Sequence, residues 1–200
     1  MARAIFLAIF AIVLSVPPVL ADIYRWDNSQ LIPGTQGITP GPWVVLDHRE
    51  LAFAELVKRD LTGARFDFSN LTNAHLYGST LTNANLAGAN LTHASLWVST
   101  LTNANLTGAV VTGASFQETT SRGFTQAQLA STASYQAKNL RGIDLLKNDL
   151  TGWDFSGQNL RGANLSSSTL TNANLTGANL TGASLWLSAL TNANLTGADL

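Results

Sequence analysis

Large apolar residues recur at every fifth position over most of the chain. From residue 46 to residue 116 all positions five apart are Leu, Phe or Val, and from residue 140 to residue 200 all are Leu or Phe. The residue two places earlier is usually small, as at Ala84 and Ala89. An amphipathic helix repeats its apolar residues at spacings of three and four, and a strand at a spacing of two. A spacing of five instead predicts a chain that turns a corner every five residues.

Four of these five-residue words form a longer repeat of twenty. Residues 79–98 read STLTNANLAGANLTHASLWV, and residues 168–187 read STLTNANLTGANLTGASLWL. Four equal sides close a square, and successive squares stack at the strand spacing of about 4.8 Å. The pattern therefore predicts an all-β solenoid of about seven coils. Leu would lie inside, and Asn, Thr and Gly would lie outside or at corners.

The recurring word A-[N/D]-L-x-x, carried by AHL, ANL, ASL and ADL, resembles that of the pentapeptide-repeat family. The resemblance covers residues 44–118 and 138–200 and implies a right-handed quadrilateral β-helix. Some members of this family imitate DNA and protect topoisomerases, a role that needs many acidic groups. Residues 68–117 and 155–198 contain no Asp or Glu. DNA mimicry is therefore the least favoured function for this chain.

The five-residue period breaks once, between Phe116 and Leu140. Within the break, Thr125 and Gln128 have the spacing of a helix capping box, which predicts a short helix over 125–133. We expect this helical insert to leave the solenoid wall and to pack back on it.

The coil after the break carries large or polar side chains where small ones belong. We interpret Trp153 as a packing partner of the insert rather than a binding residue, because large aromatic side chains tend to be buried. The cross-section of this coil is expected to differ from that of its neighbours. The unusual residues are Ile143, Asn148, Trp153 and Gln158.

Two end segments lie outside the repeat. Residues 1–21 have one early Arg, an apolar run and small residues before Asp22, the layout of a cleaved secretory signal peptide. Residues 22–43 are expected to cap the apolar end of the first coil, with Tyr24, Trp26 and Trp43 as the covering side chains. The predicted segments are a signal peptide (1–21), a cap (22–43), a first repeat block (44–118), an insert (119–137) and a second repeat block (138–200).

Charged residues make up only 12% of the chain, the net charge is −1, and there is no cysteine. The near-neutral charge argues against a nucleic-acid partner. Without cysteine, stability must come from packing and backbone hydrogen bonds rather than disulfides. The repeat continues to Leu200, an inward position, so we expect a longer array or end-to-end self-association.

No catalytic motif is present in the sequence. The histidines His48, His75 and His93 are scattered, and no nucleotide-binding or nucleophile signature accompanies them. We therefore predict a non-enzymatic protein without a cofactor or a metal.

The sequence favours a secreted or cell-envelope module that serves a structural role or binds an unknown protein or glycan. An alternative is binding of a repetitive surface, such as polysaccharide or ice, through outward Thr and Asn ladders. One candidate interaction patch stands out from the small polar exterior, and it either packs against the insert or binds a partner. It consists of Tyr77, Trp97, Val98, Trp186 and Leu187.

The export prediction can be checked directly. Protein recovered from outside the cytoplasm should begin with Asp22 and read DIYRW on N-terminal sequencing, because cleavage is expected after Ala21. Recovery of the full-length chain from the cytosol alone would contradict it.

Overall fold

The computed structural model describes residues 22–200, so the predicted signal peptide lies outside the described residues. The described chain pairs with itself at intervals of twenty residues. Single parallel bridges join Asn70 to Asn90 and His75 to Ser95, and backbone bonds such as Leu76 N to Ser95 O at 2.8 Å flank them. A wall has room for only a few residues between two corners, so the pairing appears as isolated bridges rather than long strands.

The bridges fall into four rows, because successive bridged positions are five residues apart. Each row marks one wall, and the twenty residues that pass along all four walls make one coil. We number the walls by the inward residues of one coil: Phe66 on wall 1, Leu71 on wall 2, Leu76 on wall 3 and Leu81 on wall 4.

The inward residues of successive coils form the hydrophobic core. The large inward side chains are buried along the whole first repeat block, and from Ala64 onward the small residue beside each is buried as well. The neutral polar exterior and apolar interior predicted from the five-residue spacing are therefore both present. Among the buried residues are Phe66, Leu71, Leu76, Leu81, Leu86, Leu91, Ala74, Ala84 and Ala89.

Corners lie two residues after each inward side chain and have a left-handed backbone. Asn83 and Asn103 have φ values of 57° and 56°, and Gly88 has a φ of 64°. Asn and Gly accept this conformation with little strain, as the sequence predicted. Position 88 also favours Gly for a second reason, because a Cβ there would lie 2.6 Å from the Phe68 ring of the preceding coil.

The insert contains three short helices. They are a 3-10 helix at Thr120–Arg122, α1 at Gln126–Ala130 and α2 at Ala133–Gln136. The predicted capping box is confirmed, since the Thr125 hydroxyl accepts from Gln128 N while the Gln128 side chain accepts from Thr125 N. The predicted helix over 125–133 was too long, because the Thr132 side chain caps a new helix. Among residues 22–200, no helix is long and apolar enough to cross a membrane.

The insert lengthens one coil without disturbing the register of the next. Ser115 bridges Asp144, 29 positions away, so this coil has nine residues more than the usual twenty. Wall 3 keeps its bridges through this level, whereas the insert replaces the regular words of walls 4 and 1. Gln128 compensates for the lost pairing below, because its side-chain amide donates to Leu101 O at 2.7 Å and Ala104 O at 2.8 Å.

The unusual residues of the following coil face the insert. The Asn148 oxygen accepts from the backbone N–H groups of Thr119 and Thr120, both at 2.9 Å, and its amide donates to Phe116 O at 2.8 Å. Trp153 is only 7% exposed and meets the Phe124 ring edge-on at 5.8 Å. The interpretation of Trp153 as a packing partner of the insert is confirmed.

The aromatic residues named as the N-terminal cap do not cover the core. Tyr24, Trp26 and Trp43 are 46%, 43% and 67% exposed, so this prediction was wrong. Ile23 and Ile32 are buried and join the core instead. Tyr24 forms an antiparallel bridge with Leu31, and the period-two alternation of this hairpin turns the flanking Ile residues inward and Tyr24 outward.

The inward register predicts that inward and outward positions differ in their tolerance of a charged substitution. Leu86→Lys should unfold or aggregate the protein, because it buries an unpaired charge, whereas Thr107→Lys, at an exposed position one coil later, should change the free energy of unfolding by less than about 0.5 kcal/mol. Urea unfolding followed by circular dichroism measures both. Asn85 is not a neutral control, because its side chain bonds Asp67 and Asn105.

The insert depends on one buried amide. Asn148→Ala should lower the free energy of unfolding by roughly 2–4 kcal/mol, because it leaves buried N–H and C=O groups of the insert unpaired. Asn164→Ala removes only a turn bond to Ser166 N and should cost less than about 1 kcal/mol. Equal melting temperatures for the two variants would contradict this role of Asn148.

Candidate interaction surface

All five residues of the candidate patch lie on wall 3. Tyr77 and Trp97 follow the inward Leu76 and Leu96, and Trp186 follows Leu185. We call the outward side of wall 3 the aromatic face. Its bridges run without interruption past the insert and link the two repeat blocks. The bridged positions in order are His75, Ser95, Ser115, Asp144, Asn164 and Ser184.

The structure brings Tyr77 and Trp97 together. Their ring centroids are 5.2 Å apart with an interplanar angle of 26°, so they stack along the rod. His75 meets Tyr77 edge-on at 6.1 Å and stacks on Trp26 at 4.3 Å. The inner faces of Tyr77 and Trp97 therefore cover one another.

Sequence reasoning missed the first half of this stack. Trp26 had been assigned to the end cap, but its indole N–H donates to Asn73 O at 2.7 Å and fixes the ring against wall 3. The sequence did contain a signal for this extension of the stack. His75 and Tyr77 flank the inward Leu76, so both of their rings point outward on the same wall.

Trp186 and Leu187 form the second part of the aromatic face. Their side chains are 70% and 69% exposed in the last described coil, which has no further coil over wall 3. Four bridge steps separate Trp97 from Trp186, which corresponds to about 19 Å at the strand spacing. The Glu118–Lys147 ion pair, at 3.1 Å, lies between them and neutralises the middle of the face.

Two apolar residues of the face have a strained backbone. Val98 and Leu187 occupy corner positions with φ values of 50° and 57°. Most corners of the other walls are Asn or Gly, although Trp43, Phe53 and Phe68 also have a positive φ. A β-branched residue in this region is unfavourable by about 1–2 kcal/mol. The chain thus places apolar side chains on this face at the expense of local stability.

A second polar cluster lies on wall 1. Ligand atoms of Asp47, His48 and Asp67 lie within 4.8 Å of one another. The Arg65 guanidinium pairs with both carboxylates, at 3.1 Å to Asp47 and 3.5 Å to Asp67. The cluster is an ion-pair network whose negative charge already has a cation partner.

The remaining histidines form no relay. His75 lies 3.4 Å from the Glu55 carboxylate, and the ring of His93 packs over Gly113 of the next coil. Neither arrangement includes a hydroxyl nucleophile in the part of the chain that the structure describes.

Some outward Thr side chains, on walls 1 and 2 in particular, are occupied by their own turns. Thr72, Thr92 and Thr176 each donate their hydroxyl to the Asn two residues earlier, at 2.6–2.7 Å. Asn105 donates to Asn85 at 3.1 Å, so a side-chain ladder is present along wall 1. These donors serve the fold and are not available to a flat external lattice.

A comparison with known proteins identifies the repeat. The family model for pentapeptide repeats matches eight copies over residues 60–97, 139–177, 149–186 and 170–200, half of the chain. The chain belongs to the pentapeptide-repeat family. Membership implies the right-handed β-helix expected from the word, and the four rows of parallel bridges agree with it.

Several solved pentapeptide-repeat structures are similar to the chain. HetL of the cyanobacterium Nostoc, involved in heterocyst differentiation regulation, is 30% identical over 78% of this chain and 68% of its own, with a TM-score of 0.49. A protein of the Arabidopsis thaliana thylakoid lumen is 26% identical over 72% and 66%, with a TM-score of 0.23. QnrB1, a plasmid-mediated fluoroquinolone resistance protein, is 16% identical over 78% and 71%, with a TM-score of 0.36. No curated protein matches significantly.

The strained corner gives a testable expectation. Val98→Asn should raise the free energy of unfolding by about 0.5–1 kcal/mol, because Asn adopts the left-handed region more easily than a β-branched residue. Val110→Asn, at an exposed position without a positive φ, should change it by less than about 0.5 kcal/mol. A lower midpoint of urea unfolding for Val98→Asn would show that the Val98 side chain is retained for packing.

Proposed function

We propose that the protein is a non-enzymatic interaction module that binds a protein partner along the aromatic face. The observation that carries the proposal is the placement of Tyr77, Trp97 and Trp186 on one continuous wall, with corners of positive φ at Val98 and Leu187. Strain retained at a surface position is typical of functional sites. An exposed aromatic patch on an otherwise polar surface is typical of a protein interface.

A protein fits this face better than a glycan or a crystal lattice. Sugar rings pack against the flat faces of aromatic side chains, and Tyr77 and Trp97 cover one face of each other's ring. Binding of ice or crystalline polysaccharide would need free, regularly spaced Thr donors, and on wall 2 Thr72 and Thr92 use theirs internally, so such binding would be confined to wall 4, away from the aromatic face. The neutral middle of the face favours binding that depends on apolar contact rather than charge.

We further propose that the module consists of about seven coils and acts outside the cytoplasm. The coil number follows from twenty-eight inward positions at four per coil. Export is supported by the apolar leader sequence of residues 1–21. End-to-end self-association remains a prediction.

The proposal is tested by affinity capture from the envelope and culture medium of the producing organism, with the purified protein as bait. Trp186→Ser with Leu187→Ser should remove the captured partner and leave the melting temperature within a few degrees, since both side chains are exposed. Trp43→Ser is the matched control, because Trp43 is equally exposed but lies on wall 4 beside Gly63.

Capture that survives the Trp186 and Leu187 changes, or is lost equally with Trp43→Ser, would refute binding along the aromatic face. Tyr77→Ser with Trp97→Ser should also weaken capture, but is expected to lower stability by roughly 0.5–1.5 kcal/mol through loss of the stack.

A further inference from the structure

Three columns of outward positions run along the aromatic face. His75, Tyr77 and Gly78 are the outward positions of one coil of wall 3, and the corresponding three positions recur in each later coil. We number these coils as levels 1 to 6, from Tyr77 to Trp186. The first column is the row of bridged positions that begins with His75. The middle column contains Tyr77, Trp97, Gln117, Leu146, Ser166 and Trp186, and the corner column contains Gly78, Val98, Glu118, Lys147, Ser167 and Leu187.

The corner column complements itself in size when its order is reversed. Gly78 at level 1 corresponds to Leu187 at level 6, and Val98 at level 2 corresponds to Ser167 at level 5. Each apolar side chain is thus matched with a position that has little or no side chain.

The other two columns show the same matching of large with small residues. Trp97 at level 2 corresponds to Ser166 at level 5, which is only 7% exposed and leaves a recess in the face. In the first column, His75 with the Trp26 ring stacked on it corresponds to Ser184. The bulky half of the face therefore has the reversed outline of its other half.

The charges at the centre of the face follow the same rule. Glu118 at level 3 and Lys147 at level 4 are the two charged residues of the corner column. They pair at 3.1 Å within the chain, yet their side chains are 35% and 57% exposed, so each can meet a further charge. Reversal of the order places the acid opposite the base.

A surface that matches its own reversal fits a second copy of itself. A twofold axis that runs across wall 3 between levels 3 and 4 places level 1 of one protomer opposite level 6 of its partner. Each column then lies opposite the same column. Two residues that face each other do so twice, as in other isologous dimers.

We propose that the aromatic face binds a second copy of the chain, with wall 3 against wall 3 and the two rods antiparallel. Tyr77 lies opposite the exposed Trp186 at each end of the contact, and Glu118 of each protomer lies opposite Lys147 of the other. Apolar contact at the ends supplies affinity, and the central charges fix the alignment. The proposal rests on the proposed function, because it takes the same face as the binding surface and names its occupant.

The charges select one alignment among the coils. Sliding one protomer by a single coil brings either the two Glu118 side chains or the two Lys147 side chains opposite each other. Like charges that face each other across an interface disfavour it. In the proposed alignment Asp144 lies opposite Ser115, so no like charges face each other.

The extent of the face indicates a weak dimer. Five steps at the strand spacing make it about 24 Å long, and the three columns span about 10 Å. A contact of this extent lies at the low end of specific interfaces. We therefore expect a reversible dimer with a Kd of about 10–100 µM.

Sedimentation velocity of the purified protein, from about 5 to about 500 µM, tests the proposal. The unchanged protein should shift from monomer to dimer over this range. Glu118→Lys and Lys147→Glu should each remain monomeric, because each variant places like charges opposite each other at both central contacts. Arg161→Glu makes the same change of charge as Lys147→Glu at an exposed position of wall 2, and should associate as the unchanged protein does.

An equimolar mixture of the Glu118→Lys and Lys147→Glu variants gives the decisive measurement. One protomer is then positive at both central levels and the other is negative, so a mixed dimer has opposite charges at both contacts. Dimers should reappear in the mixture although neither variant forms them alone. Loss of the internal ion pair does not produce this result, since both protomers lack it. Circular dichroism checks that both variants are folded.

An unchanged protein that stays monomeric up to about 500 µM overturns the proposal. A mixture that sediments like its separate components also overturns it, as does a dimer that the single charge changes leave intact. These outcomes are distinct from the capture result. A monomer that still captures a foreign protein through Trp186 overturns the second copy as occupant and supports the proposed function, whereas a monomer without capture overturns both.

Discussion

The backbone ladder between successive coils is the constraint on which the structure depends. Each wall donates to residues nineteen positions later and twenty-one positions earlier, so every regular coil must contain the same number of residues for the inward Leu columns to align. A change of one residue in a wall would turn an inward side chain outward, as a register slip does in any sheet. Leu packing and backbone pairing therefore reinforce the same period.

The insert shows how this constraint is met when the period is broken. Nine additional residues enter through walls 4 and 1, and polar side chains replace the missing backbone partners. Gln128 satisfies two carbonyls of the coil below, and Asn148 holds two N–H groups of the insert from the coil above. The replacement is incomplete at Asp149 and Thr151, because no described residue donates to their carbonyl oxygens. Buried polar groups that need a partner thus decide where the insert is closed and where acceptors stay unpaired.

The sequence was informative wherever the five-residue word repeats. The inward positions, the left-handed corners and the capping box at Thr125 all follow from local rules that do not require knowledge of distant contacts. The cap was predicted wrongly because exposure of Trp26 and burial of Ile23 depend on how an irregular segment docks. The placement of Trp97 and Trp186 on the same wall could not be predicted either. The sequence does not show how many residues the break between Phe116 and Leu140 adds to the coil. Only the bridge between Ser115 and Asp144 fixes that number.

The near-identity of successive coils has an evolutionary consequence for the aromatic face. Recombination between two copies of the twenty-residue repeat would add or remove a whole coil and keep every remaining side chain on its own wall. The distance between Trp97 and Trp186 would then change in steps of about 4.8 Å, with no change in their direction. Unequal crossing-over in such a gene would therefore change this distance only by whole coils. Lineages that gain or lose a coil would adjust the reach of the protein without having to evolve a new contact surface.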